Sequence, residues 1–107
     1  MIAKRNLRKQ FNKDCLERDD NKCRVCDDEE ATAVHHITDR KEMPNGGYHY
    51  KNGISLCDEC HKKAEIFHMT SGKKWAANMH PNDLYNIIDS SKEEAVKECE
   101  KLTWKKS

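Results

Sequence analysis

The chain has 107 residues and a mass of 12.5 kDa, a length that suits one hydrophobic core. Only 36% of its residues are hydrophobic and 36% are charged, with a mean hydropathy of −1.09, so apolar burial is in short supply. Twenty Lys and Arg against nineteen Asp and Glu leave a net charge of +1, which excludes the highly charged disordered class, and no run approaches the roughly 18 to 20 apolar residues of a membrane span.

Six cysteines and six histidines in so polar a chain imply that disulfides or a metal supply what burial does not. The N-terminus is basic but has no apolar h-region, so it does not read as a secretory signal, and a cytoplasmic protein without membrane contact is expected. In a reducing compartment, Cys-x-x-Cys pairs are metal ligands or redox catalysts more often than structural disulfides.

Leu7, Phe11, Cys15 and Leu16 recur at helical spacing and predict an amphipathic helix over about 4–19. Lys4, Arg5, Arg8, Lys9 and Lys13 all precede the first acidic residue, Asp14, so the near-zero net charge hides a basic helix. Cys23-Arg24-Val25-Cys26 reads as a knuckle and Asp27 to Glu30 as a solvated loop. Ala33 to Ile37 suits a strand, Met43-Pro44-Asn45-Gly46-Gly47 a turn, and Ile54-Ser55-Leu56 the return strand. Cys57-Asp58-Glu59-Cys60 is a second knuckle, followed by a helix from His61 to Met69 that stops near Ser71-Gly72. Pro81-Asn82-Asp83 opens a short helix with Leu84, Ile87 and Ile88 on its apolar face. Ser91-Lys92-Glu93-Glu94 has the pattern of a capping box for a last helix carrying Ala95, Cys99 and Leu102. The flanking helices, about 4–19 and 82–103, are thus expected to carry most of the apolar residues, with zinc rather than burial holding the middle.

Two knuckles, Cys23/Cys26 and Cys57/Cys60, separated by 30 residues, can present four thiolates to a tetrahedral structural Zn²⁺. A thioredoxin-like redox site would need a surrounding βαβ pattern, which is missing. Cys15 and Cys99 fall on apolar helix faces and read as buried small hydrophobes. Between and beside the knuckles lie Val34-His35-His36-Ile37-Thr38, then Asn52 sixteen residues after His36, then His61 nine residues later.

This succession of His-His-Ile, Asn-Gly-Ile-Ser-Leu-Cys and Cys-x-x-Cys-His resembles the HNH endonucleases, or ββα-metal nucleases, and in particular their small four-cysteine members from phages and mobile elements. The resemblance covers a little under half the chain, from about Arg18-Asp19 to His61 or Glu65. It implies an α+β fold: a zinc-stapled ββα-metal core over about 18–69, with N- and C-terminal helices packed around it in one domain of 1–107. It also implies metal-dependent hydrolysis of DNA phosphodiester bonds, leaving 5′-phosphate and 3′-hydroxyl ends.

The resemblance makes His36 the general base, and makes His35 and His61 ligands of a catalytic divalent ion such as Mg²⁺, Mn²⁺, Ni²⁺ or Zn²⁺. Glu65, one helical turn beyond His61, can reach the same ion. Asn52 is expected to bond across the loop and hold His36 in place. The chemistry agrees: hydrolysis needs a proton acceptor near neutral pH, which imidazole provides, and a cation at the phosphate. Adjacent strand residues face opposite ways, so a backbone bend at His35-His36 is inferred. Arg5, Arg8 and Lys9 on the basic helix, with Arg40 and Lys41, are the candidate DNA contacts, and Lys62-Lys63 and Lys73-Lys74 are further ones. His49, His68 and His80 could also touch nucleic acid; His68 is a weak ligand candidate, and core packing suits Trp75. A monomer or homodimer is compatible with one site per chain, and other phage DNA-processing proteins are conceivable partners in the host cytoplasm. The alternative is a zinc-binding DNA-binding or adaptor module that does not cut, which leaves His36 and Asn52 without a purpose.

Overall fold

The computed structural model describes residues 4–102. Among them are four helices, α1 (Lys4–Arg18), α2 (Asp58–Met69), α3 (Pro81–Ile87) and α4 (Lys92–Glu100), and two antiparallel strands, β1 (Ala33–His36) and β2 (Gly53–Leu56). No helix among the described residues is long and apolar enough to cross a membrane. The fold is α+β, and the last helix ends at Glu100, short of the position 103 that the sequence suggested.

The register pairs Val34 with Ser55, His35 with Ile54 and His36 with Gly53. Period-2 alternation sends Val34, His36, Gly53 and Ser55 to one face and His35, Ile54 and Leu56 to the other. The first face meets α1: Leu7, Phe11, Cys15 and Tyr48 form a small buried cluster with Val34 packed against it. Gly53 permits that approach, since a Cβ there would lie 2.5 Å from Cys15 Sγ and from Phe11 Cζ. The second face meets α2 and the larger core, where Ile37, Met43, Ile54, Leu56 and Ala64 join Leu84, Tyr85, Ile88, Ala95 and Cys99. Ile37, Met43, Tyr48, Ile54 and Leu56 are all buried. The middle of the chain therefore supplies core of its own, contrary to the expectation that zinc alone holds it. Cys15 and Cys99 are buried as expected.

The loop between the strands is built from two 3₁₀ turns, Arg40–Glu42 and Tyr50–Asn52, with a kinked turn over Pro44–Gly47 between them, and α4 packs on Pro44–Gly47 and Tyr50–Asn52. The turn signal at 43–47 reflects positive φ at Asn45, Gly46 and Gly47. Ser91 caps α4 by accepting from the Glu94 N–H, but the reciprocal half of the box is not formed, and Glu94 instead pairs with Lys51 at 3.2 Å. The reciprocal arrangement occurs on α3, where the His80 ring accepts from the Asn82 N–H and Asp83 accepts from the His80 N–H.

Candidate active site

The second knuckle runs directly into α2: Cys57 is its N-cap, and the His61 N–H donates to the Cys57 carbonyl at 2.8 Å. The first knuckle is tied to the sheet by the Arg24 N–H, which donates to the Ser55 carbonyl at 3.0 Å. The four sulfurs of Cys23, Cys26, Cys57 and Cys60 lie within 4.8 Å of one another, and Cys26 Sγ is 3.8 Å from Cys57 Sγ. A tetrahedral Zn²⁺ with bonds of about 2.3 Å needs sulfurs about 3.8 Å apart. Burial opposes a thiolate at Cys23, yet backbone hydrogen bonds from Cys26, Cys57 and Val25 bring its pKa down to about 6. Spacing and donors both fit a structural zinc.

Three residues of α2 at i, i+4 and i+7, namely His61, Glu65 and His68, turn toward β1. His35 is 2% exposed, and its Nδ1 lies 3.1 Å from Glu65 Oε1, the oxygen that is also 3.2 Å from His61 Nε2. Ligand atoms of His35, His61 and Glu65 are all within 4.8 Å of one another. Cis positions on an ion with bonds of about 2.1 Å are about 3 Å apart, so the group can hold a divalent metal. Burial lowers the pKa of His35, and the hydrogen bond to His35 holds Glu65 down to about 2. These are the neutral imidazole and ionised carboxylate that ligation requires. His68 is differently engaged: its ring stacks on His35 with centroids 5.0 Å apart, and its Nε2 donates to the His36 carbonyl at 2.8 Å.

His36 leaves the strand on the opposite face from His35. Pairing with β2 continues past both, through the Ile37 N–H to the Asn52 carbonyl at 2.9 Å, and the backbone bends only at Ile37 and Thr38. The inferred bend is thus one residue beyond the histidine pair. The His36 ring stacks on Phe11 of α1, centroids 4.5 Å apart, and meets Tyr48 edge-on at 5.3 Å. Its Nε2 is buried without a hydrogen-bond partner. Burial, then the charge of Arg40, then His35 push its pKa down to about 4. His36 nonetheless borders one open cleft of about 370 Å³ together with Val34, Asp39, Arg40, Lys41, His61, Glu65 and His68.

Asn52 is fully buried, and all its hydrogen-bonding positions are filled. Oδ1 accepts from the Thr38 N–H at 3.0 Å and from the Tyr85 hydroxyl at 2.7 Å, while Nδ2 donates to the carbonyls of Thr38 and Gly47. It fixes the chain two residues after His36 and has nothing left to offer a metal.

Arg40 donates to the Tyr48 hydroxyl at 3.3 Å, and the Arg8 guanidinium lies 6.0 Å from the centre of the same ring. Tyr48 thus links Arg8 of the basic helix to Arg40 of the cleft, but Arg5, Arg8 and Lys9 are all exposed on α1 and none of them lines it. His49 pairs with Glu98 at 3.6 Å and accepts from the Lys51 N–H, and the Nδ1 of His80 caps α3, so both rings have partners within the protein. Trp75 is not in the core: it is 48% exposed and leans on Phe67 and His80.

Residues 23–67 match the family model described as HNH endonuclease. No curated protein and no solved structure matches the chain. The HNH segment holds both knuckles, both strands, His35, His36, Asn52, His61 and Glu65, and the match supports a nuclease-type function acting on DNA. Phe11, which backs His36, and Tyr85, which bonds Asn52, lie outside the HNH segment. No sequence signal marks either, because each matters only through a ring brought in from a distant helix. Asp19, at the start of the family resemblance, has a role that no local pattern marks: its buried carboxylate joins Arg18, Arg24 and the Ser55 N–H, linking α1, the first knuckle and β2.

Proposed function

We propose that the protein is a metal-dependent DNA endonuclease that hydrolyses phosphodiester bonds with His36 as general base. The observation that carries this reading is the shared cleft, bordered by His36 from one face of β1 and by His61 and Glu65 from α2, with His35 directly behind Glu65. His35, His61 and Glu65 would hold a divalent ion such as Mg²⁺, Mn²⁺, Ni²⁺ or Zn²⁺. When bound, such an ion supplies positive charge for the non-bridging and leaving oxygens of the scissile phosphate. Arg40 and Lys41 on the same cleft neutralise phosphate charge, and Arg8 extends that surface along α1.

His36 is neutral at pH 7, the form that takes a proton from water. Its free-protein pKa is low for a base, and part of the depression comes from Arg40. A phosphate seated against Arg40 offsets that charge and raises the imidazole toward the working range. Asn52 acts as a positioning residue through Thr38, and Phe11 and Tyr48, which also contact each other, pack against the ring. A phage or mobile-element origin, with a role in DNA processing, packaging, homing or restriction, accords with the small four-cysteine type.

The test is nicking of supercoiled plasmid with each divalent ion, by wild type and by His36→Ala. Cleavage by wild type, and its loss in a folded His36→Ala, is expected. Equal cutting by the variant would refute the assignment, and an inert wild type that still bound DNA would make the protein a zinc-binding DNA module.

A further inference from the structure

A second groove, of about 320 Å³, adjoins the cleft and shares Asp39, Lys41 and His68 with it; Glu42, Phe67, Ser71 and Gly72 complete its walls. Its shape follows from how α2 ends. Thr70 is the C-cap, Ser71 and Gly72 have φ of 53° and 81°, the Gly72 N–H donates to the Phe67 carbonyl at 2.8 Å and the Ser71 N–H to the His68 carbonyl at 3.2 Å. This is a Schellman turn, which takes the chain away immediately after the metal-facing part of the helix. A Cβ at Gly72 would lie 3.3 Å from the Phe67 ring. Behind Phe67 stand Trp75 and His80, with ring centres 6.1 and 5.2 Å away.

The groove thus offers one aromatic wall, two carboxylates and a lysine at the rim it shares with the cleft. Asp39 accepts from the Lys41 N–H, and exposed Glu42 has no ion-pair partner among the described residues. Two carboxylates repel a phosphate, so the DNA backbone is a poor occupant. A nucleobase is a good one, because its face stacks on an aromatic ring and its amino group donates to carboxylate oxygens. Inside a duplex neither the face nor the pairing edge is available.

We infer that this groove is a subsite for an unpaired nucleobase bearing an exocyclic amine, next to the nucleotide whose phosphate enters the cleft. The preferred substrate is then single-stranded or locally unpaired DNA. The placement of that phosphate rests on the nuclease reading above.

The test uses the full chain carrying Trp104→Phe, which leaves Trp75 as the sole tryptophan, and His36→Ala, so that DNA survives the titration. The probes are 12-mers of oligo-dC, oligo-dT, an abasic strand with the same phosphates, and the dC·dG duplex. Oligo-dC is expected to change Trp75 fluorescence and to bind about 5- to 150-fold more tightly than the abasic strand, the range of one base–aromatic stack. The duplex binds without that change. Phe67→Leu should erase the advantage of bases over the abasic strand. Glu42→Gln, on an exposed side chain, should erase the preference for dC over dT, and it decides the matter if Phe67→Leu fails to fold. Equal binding of oligo-dC and the abasic strand, or a dC preference that survives Glu42→Gln, overturns the subsite. Metal-dependent nicking by the parent protein is scored separately: cleavage without base selectivity sinks the subsite alone, and base selectivity with no cleavage under any divalent ion sinks the nuclease reading alone.

Discussion

Replacing Asn52 by Ala removes both ends of the clamp that sets the chain after His36. The Thr38 N–H, the Thr38 carbonyl and the Gly47 carbonyl lose their partners in a region closed to solvent, while the Tyr85 hydroxyl keeps Thr38 Oγ1 at 2.7 Å. Three buried backbone groups at about 1 to 3 kcal/mol each, reduced by any water that enters, put the loss at about 3 to 5 kcal/mol. For a chain of this size that lowers the melting temperature by roughly 15 to 30 °C.

Asn52→Asp separates the electrostatic part from the packing. It keeps the acceptor for Thr38 and Tyr85 but turns a carboxylate oxygen toward two carbonyls, which favours the protonated form in the fold. The folded pKa is then raised above the unfolded value, so the folded state binds more protons and stability falls as pH rises above about 4. Thermal melts followed by circular dichroism at pH 5 and pH 8, each relative to wild type with saturating zinc, measure both effects. A loss under about 1 kcal/mol in Asn52→Ala, or no pH dependence in Asn52→Asp, would refute the clamp.

Cys57→Ser or a strong chelator should unfold the protein, because a zinc ion would join the start of α2 to the first knuckle, which is itself tied to β2; a folded, zinc-free protein by circular dichroism and metal analysis would contradict this. Phe11→Leu should cost about 1 to 1.5 kcal/mol through imperfect filling of a site 1% exposed, and should lower kcat for nicking more than it raises KM, since the ring positions His36 and is itself closed to solvent. Unchanged kcat in a folded Phe11→Leu would show that the stack has no bearing on the base. With its folded pKa at about 4 against 6.5, His36 contributes stability that is complete above pH 6.5 and is lost as pH falls toward 4. His36→Phe should therefore lose less melting temperature than wild type between pH 7 and pH 5, and parallel losses would argue against a buried neutral imidazole.

The two clusters that could hold metal were partly legible in the amino-acid order, because several of their members come in short, local spacings. Each Cys-x-x-Cys makes its own turn, and Glu65 follows His61 by one helical turn, so the donor groups are set before the chain folds. The strands and helices followed from local pattern too, with errors confined to their ends and to the capping of α4, where Glu94 answers Lys51 instead of its own helix. What the order of residues left open is everything that depends on which surfaces meet. That Phe11 stacks on His36 is decided by Gly53, whose missing side chain lets α1 settle on β2. Asn52 is committed to Thr38, Gly47 and Tyr85, a network spanning residues 38 to 85. Trp75 lies outside the core because Phe67 and His80 brace it at the surface. Composition together with the cysteine spacing predicted a zinc-held middle with little core; the tertiary structure adds Ile37, Met43, Tyr48, Ile54 and Leu56 to the buried residues. A two-residue alternation reveals that His35 and His36 must face opposite ways, but only the tertiary packing puts His36 on one cleft with His61 and Glu65, the residues that His35 backs from the buried side.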